Sequence, residues 1–244
     1  MIDLNKVSVQ LAQTDVLREI SLEVQKEEIV GLIGPAASGK SVLIKTIAGL
    51  LSVSSGELLI HDERVEHLPV DARERWQKRV GMSFQNNALF DGFSVFENVA
   101  FPLRRQGVGD GEIVRRVEAR LNDVGLLQSK ERFPTELSGG MQKRVGIARA
   151  TITSPEIGLF DEPTAGLDPV AAAMILDLVV RLTRSLHMAT VIVSNDLAVL
   201  LPICDRVVML YEGEAVYEGL AADLKRCDRE EVVQFVTGSN EGPL

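Results

Sequence analysis

The sequence predicts an α/β fold, in which a mainly parallel sheet has helices on both faces and carries a helical insertion. Short strand patterns alternate with helical patterns along the chain, which is typical of parallel sheets. The segments at residues 29–34 and 157–160 are almost continuously apolar, as in strands buried on both faces. With 244 residues, the chain is long enough for one large domain or for a core with a subdomain.

The predicted elements follow in a simple order. Strand patterns occur at residues 2–9, 20–24, 29–34, 56–60, 80–84, 157–160 and 190–193. A loop after the third strand leads into a helix from Ser41, another helix is predicted at 170–186, and apolar residues recur at helical spacing between 94 and 153. We therefore expect an α/β core of residues 1–85 and 154–220, a helical subdomain at 86–153, and a C-terminal helix and tail at 221–244.

Composition and charge exclude several classes of protein. The chain has 26 Lys and Arg against 35 Asp and Glu, a net charge of −9, whereas a protein that binds nucleic-acid phosphates is normally basic. No apolar stretch approaches the roughly 20 residues that span a bilayer, and the N-terminus has no signal-like segment. The two cysteines are too few for a disulfide framework, so we expect the protein to be located in a reducing cytosol.

One loop has the composition of a phosphate-binding loop. Its residues are Gly34-Pro35-Ala36-Ala37-Ser38-Gly39-Lys40-Ser41, which fit the pattern G-x-x-x-x-G-K-[ST] between a predicted strand and a predicted helix. Backbone N–H groups of such a loop point at phosphate oxygens, the lysine neutralises the β- and γ-phosphates, and the serine hydroxyl coordinates Mg²⁺. The pattern therefore predicts a nucleoside triphosphate site.

Two acidic residues follow the strand at residues 157–160. Asp161 suits a Mg²⁺ shell, and Glu162 suits a general base that polarises the attacking water. Taken alone, an Asp-Glu pair at this position is equally typical of a solvated turn.

A second anion cradle is predicted at the start of a helix. Ser138 is followed by Gly139 and Gly140, which together offer a hydroxyl and exposed N–H groups. On its own this pattern is more often a plain helix cap. The surrounding residues change that interpretation: Leu137-Ser138-Gly139-Gly140-Met141-Gln142-Lys143-Arg144 resembles the signature motif of ATP-binding cassette (ABC) ATPases, Gln85 matches their Q-loop, and Ala165-Gly166-Leu167-Asp168 matches their D-loop.

The resemblance implies a fold, a reaction and an assembly. The fold is a P-loop nucleoside triphosphatase core with an N-terminal antiparallel β subdomain, and the reaction is hydrolysis of ATP with Mg²⁺. The site residues divide into Lys40 and Glu162 for catalysis and Ser41, Gln85 and Asp161 for the metal. In this family the phosphate loop of one subunit faces the signature of the other, so the resemblance implies a head-to-tail homodimer in which Ser138, Gly139 and Gly140 close the partner's site and Asp168 links the two sites.

Within the ABC ATPases, the chain is most similar to the Mla/Mce-type lipid-transport ATPases. The similarity lies in residues 84–91 and 93–103, in Met141 of the signature, and in the tail at 232–238. It implies a phospholipid cargo, an MlaE-like integral-membrane permease, an Mce-type substrate-binding protein, a small accessory subunit, and a peripheral position on the cytoplasmic face of the inner membrane.

Other interpretations remain open at this stage. Several importer ATPases share the similarity in the helical subdomain, so the lipid assignment is not the only one. A soluble ABC ATPase of the iron-sulfur assembly type is a rival, as is an ATP-gated dimerisation switch with little turnover.

The chain departs from the family at two functional positions. Asn195 stands where the family carries a histidine that contacts the γ-phosphate, and the histidines of this chain, His61, His67 and His187, all precede it. Asparagine can donate a hydrogen bond but cannot become charged, so we expect slower hydrolysis. Residues 9–13, where the family commonly stacks adenine on an aromatic ring, contain no ring, which predicts weak discrimination between ATP and GTP.

The helical insertion carries features suited to a partner. Residues 101–150 contain ten Lys or Arg against six Asp or Glu, which suits a face near anionic lipid, although a solvated face with helical ion pairs is the simpler interpretation. Phe90, Phe93, Phe96 and Phe101 cluster after Gln85, where ABC ATPases receive a helix of the permease; some of these rings are instead expected in the core.

Overall fold

The computed structural model describes residues 1–61, 63–65 and 70–244, the residues 70–72 by their backbone alone, and His67 lies outside these ranges. The described residues form two sheets and eight α-helices. The strands are β1 (Ile2–Leu11), β2 (Thr14–Val24), β3 (Ile29–Ile33), β4 (Ser55–Ile60), β5 (Glu63–Arg64), β6 (Val80–Ser83), β7 (Ile157–Asp161), β8 (Ala189–Val193), β9 (Arg206–Tyr211) and β10 (Glu214–Leu220). The helices are α1 (Lys40–Ile47), α2 (Val70–Gln77), α3 (Val95–Arg105), α4 (Asp110–Asp123), α5 (Gly139–Thr151), α6 (Pro169–Leu186), α7 (Leu197–Leu200) and α8 (Glu230–Thr237).

The larger sheet has six strands in the order β10-β9-β3-β8-β7-β6. Its neighbours are parallel from β9 to β6, and β10 pairs antiparallel with β9. The smaller sheet, with the order β2-β1-β4-β5, is antiparallel throughout. The predicted α/β fold, with a mainly parallel sheet and an antiparallel N-terminal sheet, is confirmed.

An apolar core lies on each face of the six-stranded sheet. On β3, Ile29 and Ile33 join a core formed with helices α3 to α6, whereas Val30 and Leu32 join a core shared with α1 and the antiparallel sheet. Every residue of β3, β7 and β8 is buried, because successive side chains of a strand point to opposite faces and both faces are covered. This burial explains the continuous apolar runs in the sequence.

The carboxyl ends of the parallel strands therefore meet at one edge of the sheet, where ligands of open α/β sheets bind. The loop after β3 runs into α1, and the segments after β6, β7 and β8 begin at the same edge.

The structure differs from the sequence prediction at several elements. The helix expected from Ser41 begins at Lys40, and the helical stretch 94–153 contains α3, α4 and α5 with two short 3₁₀ turns between them. The prediction lacked the hairpin of β9 and β10, whose turn residues Glu212 and Gly213 have φ of 48° and 82°, as a type I′ turn requires. The division into a core and a helical subdomain stays a prediction. No helix in the described part of the chain is long and apolar enough to cross a membrane.

Candidate functional site

The phosphate loop connects β3 to α1 in a conformation that requires glycine at two positions. Gly34 and Gly39 have φ of 137° and 106°. A Cβ atom on Gly34 would lie 2.0 Å from the carbonyl oxygen of Leu210, and one on Gly39 would lie 2.6 Å from Cδ2 of Leu17. The loop therefore passes between its neighbours with no room for side chains at these two positions.

Lys40 turns its ammonium group back into this loop. Its Nζ donates hydrogen bonds to the carbonyl oxygens of Gly34 and Pro35, each at 2.7 Å. Burial lowers the pKa of Lys40, and the charges of Glu162 and Asp161 oppose that shift. The hydroxyl of Ser38 is buried in the same loop and has no hydrogen-bond partner, so a polar ligand group would satisfy it.

Ser41 and Asp161 form an oxygen pair beside the loop. The Ser41 hydroxyl donates to Oδ1 of Asp161 at 3.3 Å, across 120 residues of sequence. Burial raises the pKa of Asp161, whereas the Ser41 hydrogen bond and the charges of Lys45, Lys40 and Lys143 lower it. A hydroxyl and a carboxylate at one point are ligands that Mg²⁺ prefers, so these residues fit the predicted metal.

Gln85 lies at the same edge of the sheet, and its predicted role as a metal ligand stays a prediction. It follows β6 and is exposed, and the carbonyl oxygen of Gln85 accepts a hydrogen bond from Lys143 Nζ at 2.5 Å. Its side chain makes no hydrogen bond to Ser41 or Asp161. The structure thus brings the Gln85 backbone to this edge without joining its amide to the oxygen pair.

Glu162 lies immediately after β7, with a left-handed φ of 46°. Burial raises the pKa of its carboxyl group, and the charge of Lys40 and a hydrogen bond from the backbone N–H of Asn195 oppose the rise. The backbone of Asn195 is therefore near the Glu162 carboxyl group, and the Asn195 side chain is exposed. The role of Asn195 at the γ-phosphate stays a prediction. A half-buried carboxylate with a raised pKa is suited to accept a proton from water.

The residues of the signature motif lie apart from the phosphate loop of the same chain. Ser138 caps α5 by accepting from the N–H of Met141 at 3.4 Å, and no hydrogen bond joins Ser138, Gly139 or Gly140 to the phosphate loop. A Cβ on either glycine would meet only Leu167, at 3.8 to 3.9 Å. Packing within the chain therefore does not require glycine here, whereas close approach of an external group would.

Asp168 has a local role that the sequence prediction did not include. Its carboxylate accepts from the N–H groups of Val170 and Ala171, both at 3.0 Å, and so caps α6. This cap is typical of aspartate before a proline at the first helical position. The structure gives no contact that links Asp168 to the phosphate loop.

The β1–β2 turn, where adenine stacking was expected to be absent, consists of Ala12 and Gln13, both with positive φ. Leu11 is the apolar side chain available there, at 38% exposure. The expectation of weak base discrimination stays a prediction.

A groove lies beside Gln85, between β6 and α3. Its volume is about 630 Å³, and its lining includes Met82, Phe84, Phe90, Phe101 and Arg105. The rings of Phe90, Phe93 and Phe101 contact one another, with centroids 4.8 to 6.2 Å apart. Phe90 and Phe101 line the groove, Phe93 contacts their rings, and Phe96 instead packs against the core of the helices.

The basic residues of the helical insertion are largely engaged within the chain. Arg115 and Arg116 both pair with Glu112, Lys130 pairs with Glu118, and Arg120 donates to Oγ1 of Thr151. The guanidinium of Arg149 donates to the carbonyl oxygens of Asn87 and Ala88. These contacts favour the simpler interpretation of the charge excess for most of its members.

Sequence reasoning missed Lys143 and Arg149 as residues of the site. Both lie on α5, and both hold backbone carbonyls of the segment that follows β6. Lys143 was visible within the signature motif, but no local pattern connects it to a carbonyl 58 residues away.

Comparisons with known proteins agree with this geometry. The ABC transporter family matches residues 17–165. The chain is 40% identical over 232 residues to the methionine import ATP-binding protein MetN of Rhodopseudomonas palustris, covering 93% of this chain and 62% of MetN. It thus spans about three fifths of the length of that relative.

Two further known proteins match this chain over most of their own length. The intermembrane phospholipid transport system ATP-binding protein MlaF of Haemophilus influenzae is 33% identical over 245 residues, with 100% of this chain and 93% of MlaF covered. A dimeric, post-hydrolysis structure of the ATP-binding cassette MJ0796 bound to ADP and Pi superposes with a TM-score of 0.83 at 28% identity, covering 91% of this chain and 99% of that one.

Proposed function

The chain belongs to the ABC transporter family, and on that premise we propose that it hydrolyses MgATP as the ATP-binding subunit of a transporter whose permease is a separate chain. The observation that carries the proposal is the meeting of Lys40, Ser41, Asp161 and Glu162 at one edge of the sheet. Phosphate-binding, metal-binding and proton-accepting groups are all present there.

The residues of this edge divide the work of hydrolysis. The loop N–H groups and the ammonium of Lys40 hold the phosphates, and Lys40 exchanges its contacts with the Gly34 and Pro35 carbonyls for phosphate oxygens. Ser41 and Asp161 hold Mg²⁺, with Gln85 as a further ligand once its side chain turns inward. When bound, Mg²⁺ neutralises charge on the β- and γ-phosphate oxygens.

Glu162 orients the attacking water and accepts its proton. The water oxygen attacks the γ-phosphorus in line with the bond to the β-phosphate oxygen, which breaks to release ADP, and inorganic phosphate carries the new P–O bond. The backbone N–H of Asn195 lies near the Glu162 carboxyl group and favours its charged form. The exposed Asn195 amide can donate to the γ-phosphate, without the positive charge of a histidine.

The working unit we propose is a head-to-tail homodimer. Ser138, Gly139 and Gly140 make no hydrogen bond to their own phosphate loop, and packing leaves the two glycines open. The dimeric MJ0796 structure supports this arrangement. In the proposed homodimer of this chain, the signature residues of one subunit close the nucleotide site of the other, and Asp168 lies between the two sites.

The permease contact we propose is the groove beside Gln85. A short helix of an MlaE-like permease inserts against Phe90, Phe93 and Phe101, and the chain so sits on the cytoplasmic face of the inner membrane. The cluster adjoins the segment that Arg149 holds, with the Arg149 guanidinium 5.7 Å from the Phe90 ring centroid. Movement of the inserted helix is thereby passed to the residues after β6.

The cargo we propose is phospholipid, with an Mce-type protein and a small accessory subunit as further partners. The match to MlaF over 93% of its length supports this assignment. Methionine is the second candidate, because the match to MetN has the higher identity, 40%, although it covers 62% of MetN.

Reconstitution separates the two cargoes. The chain is purified with the permease that accompanies it and placed in vesicles that carry a fluorescent phospholipid, with labelled L-methionine in a parallel assay. We expect ATP-dependent movement of the lipid, abolished by Glu162→Gln, and no methionine uptake. Methionine uptake without lipid movement would overturn the lipid assignment and leave the ATPase proposal standing.

A further inference from the structure

Lys143 is a buried cation at the centre of the site for which the reaction scheme above has no use. It lies on α5 and is 6% exposed. A buried ammonium needs hydrogen-bond acceptors, and Lys143 has two: its Nζ donates to the carbonyl oxygen of Gln85 at 2.5 Å and to that of Glu162 at 3.2 Å. Both acceptors are backbone atoms, so their side chains remain free.

These two carbonyls belong to segments that leave neighbouring strands. The paired strands β6 and β7 are parallel, with Ser83 opposite Phe160, so Gln85 and Glu162 leave the sheet at the same edge. No backbone hydrogen bond joins Gln85 to Glu162. Lys143 is therefore the group that connects the two segments to each other.

The same helix begins at the signature motif. Ser138 caps α5, and Lys143 is five residues further along, about one and a half helical turns. The negative charges of Asp161 and Glu162 face the Lys143 ammonium and favour its charged form, against the burial that lowers its pKa. A rigid helix thus connects the signature cradle directly to the backbone of the proposed base.

We propose that Lys143 is a positioning residue for ATP hydrolysis, which ties the backbones of Gln85 and Glu162 to helix α5 and so fixes the Glu162 carboxylate relative to the phosphate loop. This inference rests on the proposed ATPase function. When nucleotide bound to the partner subunit moves residues 138–140, helix α5 moves with them. The backbones of Glu162 and Gln85 then move together with α5 as one unit.

Arg149 provides an internal contrast on the same helix. Its guanidinium holds the carbonyls of Asn87 and Ala88, at 2.6 and 2.7 Å, and does not reach Glu162. Arg149 therefore fixes only the segment after β6, whereas the hydrogen bonds of Lys143 join that segment to the backbone of Glu162.

The test compares three variants of the purified full chain. Lys143→Met removes both hydrogen bonds at similar length, and Lys143→Arg keeps a cation with several donors. Arg120→Met is the matched control, because Arg120 is an equally buried cation of the helical insertion that bonds Thr151 and lies outside the nucleotide site. Each variant is assayed for kcat, for the KM of MgATP, for equilibrium binding of a fluorescent ADP analogue, and for its thermal midpoint.

We expect Lys143→Met to lower kcat about tenfold to a hundredfold, since small misplacements of a catalytic group have effects of this size. The KM and the affinity for the ADP analogue stay within about threefold, because the phosphate contacts of Lys40 are untouched, and Lys143→Arg recovers most of the lost kcat. Arg120→Met lowers the thermal midpoint and leaves kcat within about twofold.

Three outcomes would overturn the inference: an unchanged kcat in Lys143→Met, a loss of nucleotide affinity equal to the loss of kcat, or a matching loss of kcat in Arg120→Met. If Lys143→Met does not fold, Lys143→Gln, which keeps one donor, replaces it with the same expectations. These results differ from those expected if the ATPase proposal itself is wrong. In that case the wild-type chain binds no MgATP or releases no phosphate.

Discussion

Asn195 is the residue at which a single substitution tests the chemistry most simply. Its backbone N–H lies near the Glu162 carboxyl group, and replacement by His or Ala keeps that N–H. Asn195→His adds a group that can carry positive charge toward the γ-phosphate, so we expect the turnover of the purified complex to rise about tenfold or more, the usual size of one transition-state contact.

Steady-state phosphate release measures this effect, and Asn195→Ala serves as the control that removes the amide. A turnover that does not rise in the histidine variant would mean that the asparagine imposes no limit on the rate.

At the scale of the elements, one side chain organises the turn that precedes α3. Asn98 is fully buried, its Nδ2 lies 3.0 to 3.1 Å from the carbonyl oxygens of Phe90, Phe93 and Ser94, and its Oδ1 accepts from the N–H of Phe90. The phenylalanine cluster therefore depends on this one amide for its backbone geometry.

Replacing Asn98 with Ala removes the side-chain partner of the Phe90 N–H and of the Phe93 carbonyl oxygen, both partly buried, whereas the carbonyl oxygens of Phe90 and Ser94 keep backbone donors. We expect a loss of about 3 kcal/mol in the free energy of unfolding, which corresponds to a thermal midpoint lower by roughly 6 to 12 °C in a chain of this size. Differential scanning calorimetry measures it, with Asn122→Ala, an exposed position on α4, as the control. Equal midpoints for the two variants would mean that the Asn98 contacts add nothing.

The phenylalanine cluster itself is tested by introducing charge. Phe93→Asp places a carboxylate against the Phe90 and Phe101 rings, which line the groove, so we expect ATP-driven transport to be lost while basal ATPase stays within about twofold. Transport in vesicles and phosphate release by the chain alone are the two measurements. Phe133→Asp, at an exposed ring elsewhere in the helical insertion, is the control. Loss of both activities would indicate a folding defect instead of uncoupling.

For the whole molecule, the separation of the signature from the phosphate loop predicts association driven by nucleotide. Glu162→Gln slows hydrolysis while keeping the phosphate contacts, so in MgATP we expect a species of twice the 26.7 kDa chain mass in sedimentation velocity, and the monomer without nucleotide. Adding Ser138→Arg to the same variant should abolish the dimer, because a large side chain fills the cradle. A monomer in MgATP would contradict the shared site.

The sequence was most informative where function depends on contiguous residues. The phosphate loop was recognisable because its glycines, Lys40 and Ser41 are adjacent and lie between a buried strand and a helix. Asp161 and Glu162 were visible because they end a fully apolar strand. The fold class followed from the same buried strands, since continuous apolar runs require cover on both faces.

What escaped prediction depends on contacts between distant segments. The bridge from Lys143 to Gln85 and Glu162 spans 58 and 19 residues, and nothing local distinguishes it from a cation on a solvated face. The capping role of Asp168 and the division of the phenylalanines between groove and core are also tertiary results. Strand and helix ends differ from the prediction by one to six residues, the largest difference being the start of β2, because apolar periodicity alone does not set them.

The most direct measurement is phosphate release by the wild-type chain and by Glu162→Gln in the presence and absence of Mg²⁺, with nucleotide binding measured on the same samples. We expect Mg²⁺-dependent release of ADP and phosphate by the wild type, a loss of at least about a hundredfold in the variant, and equal binding of MgATP by both. Equal hydrolysis by the two proteins, or no binding of MgATP by either, would contradict it.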